Sequence, residues 1–273
     1  MKYIYLALLQ GLTEFLPVSS SGHLVFFQKV FGFQEPLLCF DIILHLATAL
    51  SVIIFLKKDL QLIIYDTVIA IKQIIKGKNF SIVWQEYNNF RLGVFVCVAI
   101  APAIIFGLFF HAMIESMFSS LKLVGVSFLG TGTVLFITKY AKQNSRHDFN
   151  LKDALSIGLA QAVAIIPGIS RSGLTISSGI LRGLDRNLAA RFSFILAVPT
   201  IIAAGVYKLK HGIGEINISI LILTISFLVA FLSGYVCLIF LSKMIAKAKF
   251  HYFAYYCWFM GLISIFLTIF YYR

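Results

Sequence analysis

The chain has 273 residues, 60% of them hydrophobic and 12% charged, with a formal net charge of +12 from 23 Lys and Arg against 11 Asp and Glu. A soluble domain carries about 25% charged residues, so this composition, with a mean hydropathy of +0.92, excludes a soluble globular enzyme and places the chain in a membrane. The basic residues cluster between apolar runs, at Lys57, Lys58, Lys72, Lys76 and Lys78, at Lys139, Lys142, Arg146 and Lys152, and at Lys243, Lys247 and Lys249; this is the pattern of loops facing anionic lipid on the cytoplasmic side, and no nucleic-acid partner is expected.

The chain opens with Lys2 and an apolar run that imitates a secretory signal, but Gln10 and Glu14 interrupt it and no small-residue cleavage site follows. It is therefore expected to belong to the mature fold. Residues 3–16 and 20–31 are apolar arms around LPVSSSGH. Each is too short to cross a bilayer, which takes about 20 residues, and Pro17 and Gly22 sit at the break. The pattern predicts a re-entrant helix hairpin over 3–31, whose irregular tip must be buried in protein or line a wet cavity. A span follows at 38–56. Next comes 60–76, where Asp66, Lys72 and Lys76 interrupt the apolar positions and predict an amphipathic helix on the membrane surface. Spans are then expected at 91–111 and 119–138. A second broken region, 154–184, flanks PGISRSG and predicts a second hairpin, and spans at 188–207, 218–241 and 252–272 complete the chain. The expected fold is an all-α integral membrane domain over 1–273, with about six transmembrane helices and two re-entrant hairpins. Cys39, Cys97, Cys237 and Cys257 are scattered, mostly within apolar runs, and suggest neither a disulfide framework nor a zinc site.

The two broken regions resemble each other. Sliding the chain by 151 positions lays QGLTEFLPVSSSG on QAVAIIPGISRSG without a gap, matching Gln10 to Gln161, Ser19 to Ser170, Ser21 to Ser172 and Gly22 to Gly173. The order of elements also repeats, which predicts a duplication of 1–139 in 153–273. Three spans between the hairpins make the second repeat inverted, a design known from transporters with midplane sites. The basic clusters then fall on one side, which the positive-inside rule makes cytoplasmic, and the first hairpin opens outward.

Two inverted hairpins would bring polar tips together at membrane depth, where ionisable residues mark function by default. One tip carries Gln10, Glu14, Ser19, Ser20, Ser21, Gly22 and His23; the other carries Ser170, Arg171, Ser172, Gly173 and Thr175. Free N–H groups at helix starts favour anions, small Ser and Gly residues admit close approach, and Arg171 adds a planar cation suited to phosphate. Together they describe a phosphate or diphosphate cradle. Gln10 and Glu14 share one helix face and offer oxygens to a hard divalent cation bridged by substrate phosphate; the equal alternative is that Gln10 only hydrogen-bonds backbone at the hairpin. A Glu14–Arg171 pair is also expected to lock the tips. Asp41 and His45, four apart, are candidates to support the site or simply to stabilise their own helix.

At these residues the chain resembles the bacterial undecaprenyl-pyrophosphate phosphatase family, linked to bacitracin resistance: QGLTEFLPVSSSGH fits its (E/Q)xxxE and PVSS(S/T)GH segments, and PGISRSGLT its PGxSRSGxT segment. The resemblance covers essentially the whole chain. It implies a multi-pass enzyme of the bacterial plasma membrane, opening to the outer face, that hydrolyses undecaprenyl pyrophosphate and recycles the cell-wall lipid carrier. It also implies a divalent cation, Mg2+ or Ca2+, and Glu14, Ser20, His23 and Arg171 as the catalytic residues. Its partners would be the lipid substrate and membrane lipids; a homodimer is compatible with the chain. Gln10 stands where many relatives have Glu, so a two-carboxylate metal site is not implied. Attack by Ser20, attack by His23, or deprotonation of water or Ser20 by His23 are all open, with Ser20 assisted by His23 preferred. The competing reading is a lipid-phosphate transporter or flippase of inverted-repeat type.

Overall fold

The computed structural model describes residues 1–33, 37–141, 146–210, 218–247 and 249–270. Of the expectations above, Lys142 and the last two positions of the 252–272 span lie outside them. In chain order the α-helices are α1 (Lys2–Phe15), α2 (Ser20–Val30), α3 (Leu38–Phe55), α4 (Lys57–Ile75), α5 (Phe80–Glu86), α6 (Asn88–Phe109), α7 (His111–Met117), α8 (Leu121–Ile137), α9 (Leu151–Val163), α10 (Arg171–Leu181), α11 (Arg186–Lys210), α12 (Ile220–Ala246) and α13 (Phe253–Phe270). Among the described residues the β-structure is a single bridge between Arg146 and Leu184. Among the described residues five helical segments are long and apolar enough to cross a membrane: 88–109, 121–140, 186–207, 220–246 and 250–270. A sixth is counted if Cys39–Phe55 and Lys57–Ile75, which meet at 78°, are taken as one broken span. The short helices α5 and α7 have no counterpart in the sequence reading; at seven residues each they are too short to show a period of their own.

Helix α1 shows why this sequence folds as it does. Leu6, Ala7, Gln10, Gly11, Thr13 and Glu14 are buried, a set spaced by three and four that forms one face. The opposite face exposes Tyr5, Leu8 and Leu12. A helix of a soluble protein turns its polar residues outward. Here the polar residues face inward and the apolar ones outward, the arrangement a hydrocarbon solvent favours. Helix α9 repeats it, with Asp153 and Gln161 buried and Leu151, Leu155, Leu159 and Val163 exposed.

Close crossings hold the helices together. Helix α1 packs on α12, α9 on α6, and α8 on α13, while α3 packs on α12. At the first crossing, a Cβ on Gly11 would lie 2.6 Å from the Ala230 carbonyl oxygen and 2.9 Å from the Gly234 nitrogen. At the second, a Cβ on Gly158 would lie 2.6 Å from the Ala99 carbonyl oxygen. Small residues let the backbones touch where lipid supplies little hydrophobic drive for helix association.

Helices α1 and α2 pack on each other, as do α9 and α10. The first turn of α9 and the end of α10 are tied by Asp153, which is fully buried. Its Oδ1 accepts from Arg146 Nη2 (2.8 Å) and Arg182 Nε (3.0 Å), and its Oδ2 from the Asn150 backbone (3.0 Å), closing a capping box. Burial opposes ionisation of this carboxyl, yet Arg146, Asn150 and Arg182 together outweigh it and hold the group below its ordinary value. Helix α11 is joined to α4 by an ion pair between Arg191 and Asp59.

Candidate active site

The breaks in the two helix pairs meet. A Cβ on Gly22, in the first turn of α2, would lie 2.8 Å from Gly168 Cα in the loop before α10 and 2.7 Å from the Phe128 ring of α8. Each loop ends in the same local device. Ser19 caps α2 by accepting from the Gly22 N–H (3.3 Å), and Ser170 caps α10 by accepting from the Gly173 N–H (3.0 Å). Each cap also pairs with the serine two residues on, Ser19 with Ser21 at 3.3 Å and Ser170 with Ser172 at 3.2 Å. The two caps differ in the backbone: Ser19 has φ +66, whereas Ser170 has φ −75. A non-glycine residue at positive φ costs about 1–3 kcal/mol and persists only where its surroundings enforce it.

Glu14 lies at the centre. Its Oε1 accepts from Arg171 Nη2 at 2.7 Å, joining residues 157 apart in sequence. Its Oε2 accepts from Ser20 Oγ at 2.6 Å and from Gln10 Nε2 at 2.9 Å. His45 of α3 places Nε2 3.6 Å from the same oxygen, while its Nδ1 donates to the Asp41 carbonyl at 2.7 Å. The Asp41 carboxylate accepts from Gln28 Nε2 at 3.0 and 3.2 Å. The structure thus brings Gln10, Glu14, Ser20, His45 and Arg171 to one point and places Asp41 one step outside it.

Two buried polar atoms here have no protein partner: Arg171 Nη1 and Gln10 Oε1. A buried donor left unpaired is costly, by about 1–3 kcal/mol. The guanidinium therefore has one arm engaged with Glu14 and one arm available to an anion, and the starts of α2 and α10 add backbone N–H groups. For a divalent cation the fit is limited. Gln10 Oε1 is an orphan oxygen beside the Glu14 carboxylate, but among the described residues no group of three or more His, Cys, Asp or Glu side chains converges. A cation held here would take most of its ligands from phosphate and water.

The other expected phosphate ligands are also placed. Ser172 Oγ donates to the Leu16 carbonyl (3.0 Å), tying the second tip to the first. Thr175 Oγ donates to the Arg171 carbonyl (2.7 Å) and pairs with Ser193 Oγ (2.6 Å), which fixes the first turn of α10 against α11.

His23 is fully buried, and its ring is not turned to Ser20 or Glu14. Its Nδ1 lies 2.8 Å from the Ser19 carbonyl oxygen and its Nε2 2.7 Å from the Tyr256 hydroxyl of α13. Phe128 packs edge-on against the ring. Thr131 of α8 clamps the second loop, donating to the Gly168 carbonyl and accepting from the Ser170 N–H, both at 3.1 Å. Sequence reasoning missed Tyr256, Phe128 and Thr131. The only signal for Thr131 and Tyr256 was a hydroxyl at membrane depth, where such groups need partners.

Comparison with known proteins gives a consistent result. The family described as bacitracin resistance protein BacA matches residues 3–263. An undecaprenyl-diphosphatase of Desulforapulum autotrophicum is 40% identical over 268 residues, 96% of each chain. One of Methanobrevibacter smithii is 40% identical over 269 residues, 96% of this chain and 95% of its own. One of Thermosipho africanus is 40% identical over 269 residues, covering 98% of this chain and all of its own.

Proposed function

We infer the activity from one premise: the chain belongs to the bacitracin resistance protein BacA family. It is a multi-pass membrane enzyme that hydrolyses undecaprenyl pyrophosphate to undecaprenyl phosphate and inorganic phosphate, which recycles the cell-wall lipid carrier and confers bacitracin resistance. The transporter reading is not favoured, because a carrier has no need of a hydroxyl bonded to a carboxylate. The observation that carries the site assignment is Glu14 bridging Arg171 Nη2 at 2.7 Å and Ser20 Oγ at 2.6 Å, which unites both motif loops around a nucleophile and a cation.

We propose that Ser20 Oγ attacks the terminal phosphorus of the diphosphate while its proton passes to Glu14 Oε2. The phosphorus–oxygen bond to undecaprenyl phosphate breaks as the serine–phosphorus bond forms. Water then hydrolyses the phosphoserine and releases inorganic phosphate. Glu14 replaces His23 as the partner of Ser20 because it is the acceptor within hydrogen-bond reach. Arg171 Nη1 and the N–H groups at the starts of α2 and α10 would bind the phosphoryl oxygens as charge develops. Gln10 Oε1 and Glu14 are the oxygens that would hold a divalent cation, Mg2+ or Ca2+, whose contribution would be to neutralise phosphate charge. His23 holds the turn that presents Ser20, since its Nδ1–H donates to the strained Ser19 carbonyl.

The wider architecture we propose is a pair of inverted repeats with re-entrant hairpins α1–α2 and α9–α10. Exchange of partners supports it: α1 packs on α12 as α9 packs on α6, α8 packs on its counterpart α13, and the Ser19 and Ser170 caps match. The basic clusters from Lys57 to Lys249 support a plasma-membrane orientation with the site opening outward. One chain supplies every group named. Phosphate release from undecaprenyl pyrophosphate in micelles, with trapping of a phosphorylated Ser20 peptide, tests the chemistry; a phosphorylated His23 would overturn it. A cysteine replacing Glu115 on the exposed face of α7 should react with an impermeant reagent from outside; labelling only after lysis would reverse the orientation.

A further inference from the structure

Helix α13 turns Tyr255, Tyr256, Phe259, Leu262 and Phe266 outward, a stripe that suits lipid. Within it Tyr256 is distinctive, because its hydroxyl points inward to a fully buried histidine. The rings of His23 and Tyr256 are parallel within 4°, with centroids 5.6 Å apart, and the hydroxyl lies 2.7 Å from Nε2.

The proton inventory at His23 follows from its partners. The Ser19 carbonyl only accepts, so the 2.8 Å contact requires a proton on Nδ1. In the neutral ring Nε2 is then a bare acceptor, and the Tyr256 hydroxyl donates to it. Without that donor, Nε2 would be a buried unpaired acceptor, and the ring would gain by turning to another partner. Such a turn releases the Ser19 carbonyl. That carbonyl belongs to the residue at φ +66 immediately before Ser20. It also accepts the His23 backbone N–H at 3.2 Å, so both bonds draw the turn closed.

We propose that Tyr256 is a positioning residue for the phosphatase: its hydroxyl holds the His23 ring in the orientation that clamps the strained Ser19 turn and so presents Ser20 Oγ to Glu14. This rests on the site assignment made above. It links the lipid-facing helix α13 to a nucleophile that α13 does not touch. The same geometry engages both ring nitrogens of His23, which disfavours attack by His23 while Tyr256 is in place.

The test uses the full-length enzyme in micelles with histidine ring nitrogens labelled with 15N. In the wild type, His23 should show a protonated Nδ1 and a hydrogen-bonded, unprotonated Nε2. Tyr256→Phe keeps the ring and its stacking and removes only the hydroxyl. It should shift the His23 Nε2 signal and lower kcat on undecaprenyl pyrophosphate by about tenfold or more, as loss of a histidine-orienting partner does, with KM within about twofold. Replacing Tyr256 with 3-fluorotyrosine, a stronger donor of the same size, should move the Nε2 signal in the direction opposite to Tyr256→Phe while kcat is kept. This variant carries the test if the phenylalanine protein does not fold. An unmoved Nε2 signal, or a wild-type kcat in Tyr256→Phe, overturns the proposal. His23→Ala separates the two levels: loss of turnover there with normal turnover in Tyr256→Phe refutes Tyr256 alone, whereas normal turnover in His23→Ala refutes the place of His23 in the site.

Discussion

Replacing Gly22 with Ala tests whether the two helix tips touch. The added Cβ would sit 2.7 Å from Phe128 Cζ and 2.8 Å from Gly168 Cα, where ordinary contact begins at 3.4 Å. The Phe128 ring can rotate, but Gly168 Cα is backbone, so the tips must part by about 0.6 Å, the difference between 3.4 and 2.8 Å. The same loops carry the 2.7 Å bond from Arg171 to Glu14, and a shift of about 0.6 Å along that bond would lengthen it beyond good geometry. Overpacking of this kind costs about 1–3 kcal/mol, and a misplacement approaching 1 Å at a reacting centre lowers rate by up to about 10²-fold. Gly22→Ala should therefore lose about tenfold to a hundredfold in kcat, with a lowered melting temperature. The assay is phosphate release by purified protein in micelles, with thermal melting alongside. Gly130→Ala is the control, since a Cβ there meets nothing within 4 Å and should leave turnover intact. Full turnover and an unchanged melt in Gly22→Ala would refute the contact between the tips.

Other expectations follow from the same geometry. Arg171→Gln leaves Glu14 buried without its strongest partner; it should abolish phosphate release and destabilise by about 3–5 kcal/mol in denaturation experiments. Asp153→Asn weakens the ties to Arg146 and Arg182 far along α9 and α10 from the tips, and should cost about 1–3 kcal/mol at pH 7. The sign with pH is set by a carboxyl held below its unfolded value of 3.8: its contribution is complete above that pH and is lost as pH falls below it, so wild type and Asp153→Asn should converge in acid melts. Chelation of divalent cations should lower turnover, with recovery on adding Mg2+ or Ca2+; a rate indifferent to chelator would remove the cation from Gln10 and Glu14.

Much of the site was legible because its polar residues lie in two short runs that interrupt long apolar ones. Gln10, Glu14 and Ser20 in one, and Arg171 in the other, needed only an opposed arrangement to meet, and Glu14 does bond to Arg171. The role of His23 was less legible. Its position beside SSSG suggests a partner for Ser20, but the Ser19 carbonyl and Tyr256 capture both ring nitrogens. Those constraints come from backbone at positive φ and from a helix more than 230 residues away, neither of which leaves a local pattern. Thr131 reaches the site from α8 with no local pattern either, whereas His45, singled out with Asp41 by their spacing, reaches Glu14 from α3. Helix lengths followed from apolar runs, and α3 meets α4 at a bend of 78°.

The central claim is that Ser20, activated by Glu14, cleaves the terminal phosphate of a lipid diphosphate. The direct measurement is inorganic phosphate released from undecaprenyl pyrophosphate by purified wild-type enzyme and by Ser20→Ala. Multiple turnovers by the wild type and none above background by Ser20→Ala are expected, with 32P from terminally labelled substrate recovered on Ser20 in the quenched wild-type reaction. Sustained turnover by Ser20→Ala, or label found on any other residue, would contradict the account.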